Sequence, residues 1–188
     1  MTRYLALLRG INVGGKNTVP MARLRDLLQE LGYSDVATYI ASGNVILNSN
    51  RPPSEIKHQI EAALPRAFRL DSELVAVLVL SRDRLRAVVD EKPQGFGEQP
   101  DVYHSDAIFL MGIDAAAAMA VFDPRPGVDT VWPGDGVIYS QRLSSQRTKS
   151  RLNKAMSSPA YKSMTIRSWT TTLALVDLMG PTDTAGSA

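Results

Sequence analysis

Val36-Ala37-Thr38-Tyr39-Ile40-Ala41-Ser42-Gly43-Asn44-Val45-Ile46 reads as a β-hairpin, with strands Val36–Ala41 and Asn44–Asn48 around Ser42-Gly43. Helical patterns stand on both sides of it. Upstream, Pro20–Leu31 opens on a proline, carries an apolar stripe of Met21, Leu24, Leu27, Leu28 and Leu31, and stops at Gly32. Downstream, Pro53–Phe68 is apolar at Ile56, Ile60, Ala63 and Leu64, and Pro65 is expected to kink it or end it early. An apolar strand precedes the set at Arg3–Leu8 and another follows at Leu74–Leu80. The order is β-α-β-β-α-β, the split βαβ unit of ferredoxin-like folds.

The pattern then restarts. Ser81–Val89 reads as a short helix, and residues 91–101 as a loop rich in glycine, proline and charge. Ser105–Met111 is a strand, Asp114–Phe122 a helix, and Val128–Trp132 with Gly136–Ser140 a second hairpin around Pro133-Gly134-Asp135. Residues 146–156 are expected to be helical, Tyr161–Ile166 extended and Trp169–Leu178 a closing helix with Trp169 in the core. The hairpins overlay without a gap, Val36, Thr38, Val45 and Ile46 falling on Val128, Thr130, Val137 and Ile138. The first strands match as well, Ala6–Ile11 on Ile108–Ile113. Repeated order and repeated residues point to an internal duplication. The expectation is an α+β chain of two tandem ferredoxin-like halves forming an α/β sandwich, 1–90 and 91–179, with a disordered tail over 180–188.

Composition narrows the chemistry. With 44% hydrophobic and 21% charged residues, the 188-residue chain can bury a proper core. It has no cysteine, which removes disulfides, thiol catalysis and thiolate metal sites and fits a reducing, cytoplasmic setting. His58 and His104 are the two histidines, too few for a His-rich metal centre. The longest apolar run is too short to span a bilayer, and no membrane association is expected. A net charge of +2 conceals segregation. Residues 1–25 carry five basic groups and residues 136–176 carry seven, both without an acid, while residues 26–135 hold nine basic against seventeen acidic groups. Two basic stretches flanking an acidic middle form one positive face if the fold brings them together.

The chemistry-bearing stretch is Arg9-Gly10-Ile11-Asn12-Val13-Gly14-Gly15-Lys16-Asn17, directly after the first strand. Glycines allow a concave turn of converging N–H groups, and a lysine beside it adds charge: an anion nest. Gly10-x-x-x-x-Gly15-Lys16 fits seven positions of a Walker A loop, but Asn17 stands where Ser or Thr would ligate Mg²⁺, and Val19-Pro20 separate the lysine from the helix. ATP hydrolysis by that mechanism is set aside. Base stacking in the manner of RNA-recognition domains is disfavoured too, because Asn44–Asn48 holds no aromatic. The second candidate is 141–154, where Arg147, Arg151 and Lys154 share a helix face and Ser144 or Ser145 caps an anion-binding N-terminus. The counterpart of the glycine-rich loop in the second copy, Gly112-Ile113-Asp114, lacks a lysine, so the halves are not equivalent in function. A Ser/His/Asp grouping of His104 with Asp101, Ser105 and Asp106 rests on sequence proximity alone.

The motif Arg9–Asn17 with Pro20-Met21, Thr38–Val45, Ser150-Arg151-Leu152 and Thr165–Trp169 resembles the Domain of Unknown Function 1697 family of small bacterial proteins, from residue 3 to about 179. Arg167-Ser168-Trp169-Thr170 stands where that family usually has Arg-Asn-Trp-Asn. The resemblance implies an α+β protein of two similar halves and brings no activity or catalytic residues. From the residues, the expected function is binding of an anion without a cofactor or metal. Arg9, Asn12, Gly14, Gly15, Lys16 and Asn17 form one wall and Arg147, Arg151 and Arg167 the other. A nucleotide, a phosphorylated metabolite and a nucleic-acid backbone all satisfy that pattern. The alternatives are a metal-independent enzyme using Lys16 and a protein-interaction module, and oligomeric state is not readable from the sequence.

Overall fold

The structure, a computed structural model, describes residues 1–71 and 75–180. The first half runs β1 (Thr2–Arg9), α1 (Met21–Glu30), β2 (Ser34–Tyr39), β3 (Asn44–Ser49), α2 (Pro53–Ala67) and β4 (Ala76–Ser81). Then α3 (Arg82–Asp90) leads to β5 (Tyr103–Leu110), α4 (Ala115–Met119), β6 (Asp129–Gly134), β7 (Val137–Leu143), a run of 3₁₀ turns, β8 (Met164–Ser168) and α5 (Trp169–Met179). Each half is a four-stranded antiparallel sheet, ordered β2-β3-β1-β4 and β6-β7-β5-β8. This is the α+β, two-half ferredoxin-like architecture expected. Leu74, the expected start of β4, and residues 181–188 of the expected tail lie outside the described residues.

Two compact units emerge, Met1–Leu85 with the end of α5 from Leu175, and Arg86–Ala174. In the first, α1 and α2 cover one sheet face, and Tyr4, Ala6, Leu8, Val45 and Leu47 pack against Leu24, Leu28, Ile56, Ile60 and Leu64. Pro65 does not end α2 early. It lies in the last turn, where its missing N–H removes one bond, and Phe68 N–H still closes on Leu64 O at 2.9 Å.

The gapless overlay of the hairpins is corrected by their registers. Tyr39 pairs with Asn44 across a four-residue turn, whereas Gly134 pairs with Val137 across the two residues Asp135-Gly136. The second turn is therefore later and tighter than Pro133-Gly134-Asp135. A better correspondence comes from hydrogen bonds: Leu8 N–H to Gly43 O (2.8 Å) in one half and Leu110 N–H to Gly136 O (3.0 Å) in the other. With those matched, the pair Tyr4–Leu47 of β1 and β3 falls on Asp106–Ser140 of β5 and β7.

Residues 91–101 form the expected loop, and it carries a core residue. Phe96 is fully buried on one face of the second sheet, edge-on to Trp132, Tyr139 and Trp169 with ring centroids 4.9–5.9 Å apart. Next to it Gly97 has φ +73°, and a Cβ there would stand 2.4 Å from Trp169. Its N–H donates to Gln141 Oε1 (3.1 Å), which also accepts from Ser105 Oγ (3.0 Å). Phe96→Ala should cost roughly 3–5 kcal/mol, as for a large aromatic removed from a core. Urea unfolding followed by tryptophan fluorescence measures it, and an effect near zero would mean that the loop contributes nothing to the core.

Candidate functional site

The glycine-rich loop is a small hairpin of its own. Val13 and Lys16 form a β-bridge, with Lys16 N–H on Val13 O at 3.0 Å, and the two residues at its tip, Gly14 and Gly15, take φ of +58° and +74°. Positive φ at both central positions is what a type I′ turn demands, and glycine supplies it without strain. Asparagines clamp the base. Asn12 donates its side-chain amide to Val19 O (2.9 Å) and Ala41 O (2.8 Å) and accepts from Val19 N–H (2.8 Å). Asn17, 4% exposed, donates through Nδ2 to Gly10 O, while its Oδ1 accepts from Asp71 N–H and its own N–H donates to Asp71 Oδ2, all at 2.7 Å.

Asn12 and Asn17 therefore hold the loop's shape rather than face a ligand. The Lys16 side chain is exposed and has no partner among the described residues, and the N–H groups of Gly14 and Gly15 find no acceptor among them either. Arg9 is half-buried and already engaged. The Walker A likeness does not carry into geometry, because the lysine closes a hairpin and α1 begins only at Met21.

The basic segment departs further from expectation. Instead of a helix over 146–156 there are 3₁₀ turns at Ser144–Lys149, Leu152–Ser157 and Pro159–Ser163, separated by extended backbone at Ser150 and Ser158. No serine caps the first turn, and Arg147, Arg151 and Lys154 share no helix face. The cause lies in Asp129, 5% exposed at the start of β6, whose Oδ2 accepts from Arg125 N–H (3.0 Å) and Arg151 N–H (2.8 Å). A backbone donor bonded to that carboxylate is not available for the i→i−4 ladder of a helix. Arg151 and Lys154 both pair with Asp123, at 3.3 and 2.8 Å, and hold its carboxyl below the usual range, the Lys154 hydrogen bond contributing most. Arg167 is buried, bonds to Thr165 Oγ1 (3.0 Å) and Ile166 O (2.7 Å), and burial lowers its pKa to about 10. Strand alternation puts it on the sheet face opposite Asp106. Of Arg147, Arg151 and Arg167, the second expected wall, Arg147 is the one left exposed without a side-chain partner among the described residues.

What replaces the expected helix borders an open cleft. Arg142, Arg147, Thr148, Ser150 and Asn153 line an open cleft of about 420 Å³ that contains no acid. Arg142 and Asn153 also border an adjoining hollow of about 50 Å³ between the sheet and the 3₁₀ turns, where Asp106 and Ser140 meet an apolar wall. Arg142 stands opposite His104 on one side and Asp129 on the other, and its buried Nε has no hydrogen-bond partner among the described residues. His104 Nε2 lies 3.1 Å from Asp106 Oδ1. Burial raises the Asp106 pKa, against the pull of His104 and Arg142. Ser105 points to the other face, so the Ser/His/Asp grouping does not assemble. Among the described residues no cluster of three His, Asp or Glu is placed for a metal, and no helix is long and apolar enough to cross a membrane.

A family model described as a protein of unknown function (DUF1697) matches residues 1–139, ending before the 3₁₀ segment. The solved structure of a conserved bacterial protein from Streptococcus pneumoniae is similar over 95% of this chain and 98% of its own, with 28% identity and a TM-score of 0.78. No curated protein matches.

Two outcomes follow from this geometry. Asn17→Ala, which removes the two buried side-chain bonds to Gly10 O and Asp71 N–H and leaves the backbone bond to Asp71, should lower stability by about 2–4 kcal/mol, while Lys16→Ala on the tip should stay within about 0.5 kcal/mol. Denaturant midpoints of the two variants check the contrast. For Asp106, the raised folded pKa means that the folded chain keeps a proton the unfolded chain has released above its ordinary value of 3.8. Its cost to stability is absent below that value and complete above the folded pKa. Stability of Asp106→Asn relative to the parent should rise as pH climbs above 3.8 and level off once the folded carboxyl has ionised. A flat difference would refute the raised pKa.

Proposed function

In a chain that belongs to the DUF1697 family of proteins of unknown function, we propose that the second half binds a small anion in the cleft of Arg142, Arg147, Thr148, Ser150 and Asn153. The observation that carries this reading is the exchange of one buried pair. Where the first half packs Tyr4 and Leu47 under the 15-residue α2, the second sets Asp106 and Ser140 under broken 3₁₀ turns beside an open cleft. Burying polar groups in place of an apolar pair costs stability unless they have partners, so this half trades core for chemistry. Two guanidinium groups, one with an unpaired buried donor, match the oxygens of a phosphate or carboxylate.

The halves read as a duplication in which one copy kept a closed core and the other opened. The glycine hairpin is a rigid loop that presents Lys16 and two free amides, outside this cleft. A cysteine-free chain suits the reducing cytoplasm, and we place the protein there.

Thermal unfolding with inorganic phosphate, a nucleotide and a short RNA, each at low and moderate salt, tests the proposal. A ligand at ten times its Kd adds about 1.4 kcal/mol, which shifts the midpoint by a few degrees. The shift with inorganic phosphate should disappear in Arg147→Ala and persist in Lys16→Ala. Loss in Lys16→Ala instead would move the site to the glycine hairpin. A shift confined to RNA that collapses as salt rises would reassign the basic stretch to backbone binding.

A further inference from the structure

The hollow next to the cleft carries information about the rest of the ligand. Beside Asp106 and Ser140 its walls are apolar, with Ile108, Leu152, Met164 and Ile166, and it shares Arg142 and Asn153 with the cleft, so an anion bound there has a largely apolar recess within reach. The recess is small. A cavity of about 150 Å³ accepts benzene, and this one measures about 50 Å³. A purine or pyrimidine base does not fit it, and a chain of a few carbons does. The donor set discriminates as well: guanidinium groups from Arg142 and Arg147, the Thr148 hydroxyl and the Asn153 amide offer more hydrogen-bond donors than the two oxygens of a carboxylate can use. Ser150 is otherwise occupied, since its Oγ accepts from Leu152 N–H at 3.3 Å and its hydroxyl serves the Asp129 carboxylate.

We propose that the ligand is a phosphate monoester of a short carbon chain, its phosphate between Arg142 and Arg147 and its carbons in the recess over β5, β7 and β8. This rests on the anion reading above and selects within it, a small phosphorylated metabolite over a nucleotide or a nucleic-acid backbone. Depth sets the selectivity: each carbon placed in the recess leaves water for an apolar wall, and a group too large to enter gains nothing from it.

A titration series decides it: inorganic phosphate, then methyl, ethyl and propyl phosphate, then a nucleoside monophosphate, followed by NMR shifts of the intact chain. Affinity should rise about fourfold per methylene up to the propyl ester and fall back for the nucleotide. Ala155→Leu, which fills the recess from its wall, should flatten the alkyl series while leaving inorganic phosphate bound, and thermal unfolding confirms that the variant folds. In the parent protein, equal affinities for phosphate and its alkyl esters, or tighter binding of the nucleotide than of propyl phosphate, would overturn this inference and leave the anion site standing. No binding by any member of the series would remove both.

Discussion

The carboxylate of Asp129 is the constraint on which the irregular part of the second half depends. One buried oxygen holds the N–H groups of Arg125 and Arg151, so two irregular segments distant in sequence are fixed to the same end of β6. Short 3₁₀ turns have poor hydrogen-bond geometry and little stability of their own, and they persist here because they are tied down from outside. Arg142, opposite on β7, lies close enough to offset the buried charge. A buried carboxylate with good backbone donors and a cationic neighbour is tolerable, and one without them is not.

The two halves show how one topology can serve two purposes. In the first, a long α2 lies over an apolar sheet face and the outcome is a closed core. In the second, α4 has five residues and covers Ile138 and Ile108 at one end, while the other end is left to turns that do not fill the space above Asp106 and Ser140. The opposite face of that sheet compensates. Phe96, Tyr139 and Trp169 give it a dense aromatic layer, and Tyr139 Oη donates to Val88 O at 2.7 Å, fastening α3 to it. The aromatic packing lies on one side of the sheet and the open cleft is lined from the other.

Strand and helix order was legible because apolar periodicity reports burial directly, and β1, α1, the two hairpins and α5 fall within a few residues of where it places them. The site was read less well, for identifiable reasons. Asn12 and Asn17 have the right chemistry for a ligand, but side-chain bonds to distant backbone at Ala41 and Asp71 leave no periodic trace. The spacing of Arg147, Arg151 and Lys154 suits a helix, and it took a carboxylate twenty-two residues away to prevent one. Phe96 sits among prolines, glycines and charges, where a single buried ring has no pattern to announce it. A signal for the cleft was present, though: Asp106 and Arg142 stand at positions of β5 and β7 that share a sheet face with Ile108 and Ile138, and a polar residue on such a face calls for a reason.

The contact between Gly97 and Trp169 reaches beyond this one molecule. A hydrogen is all that position 97 can carry under the indole, in a backbone conformation that already excludes most side chains. Neither residue is free to drift alone. Descendants of this chain that enlarge position 97 must first lose the indole at 169, and those that shrink Trp169 open a void that a side chain at 97 can fill. The two positions are bound to change together, and the order of the changes is set by which intermediate still folds.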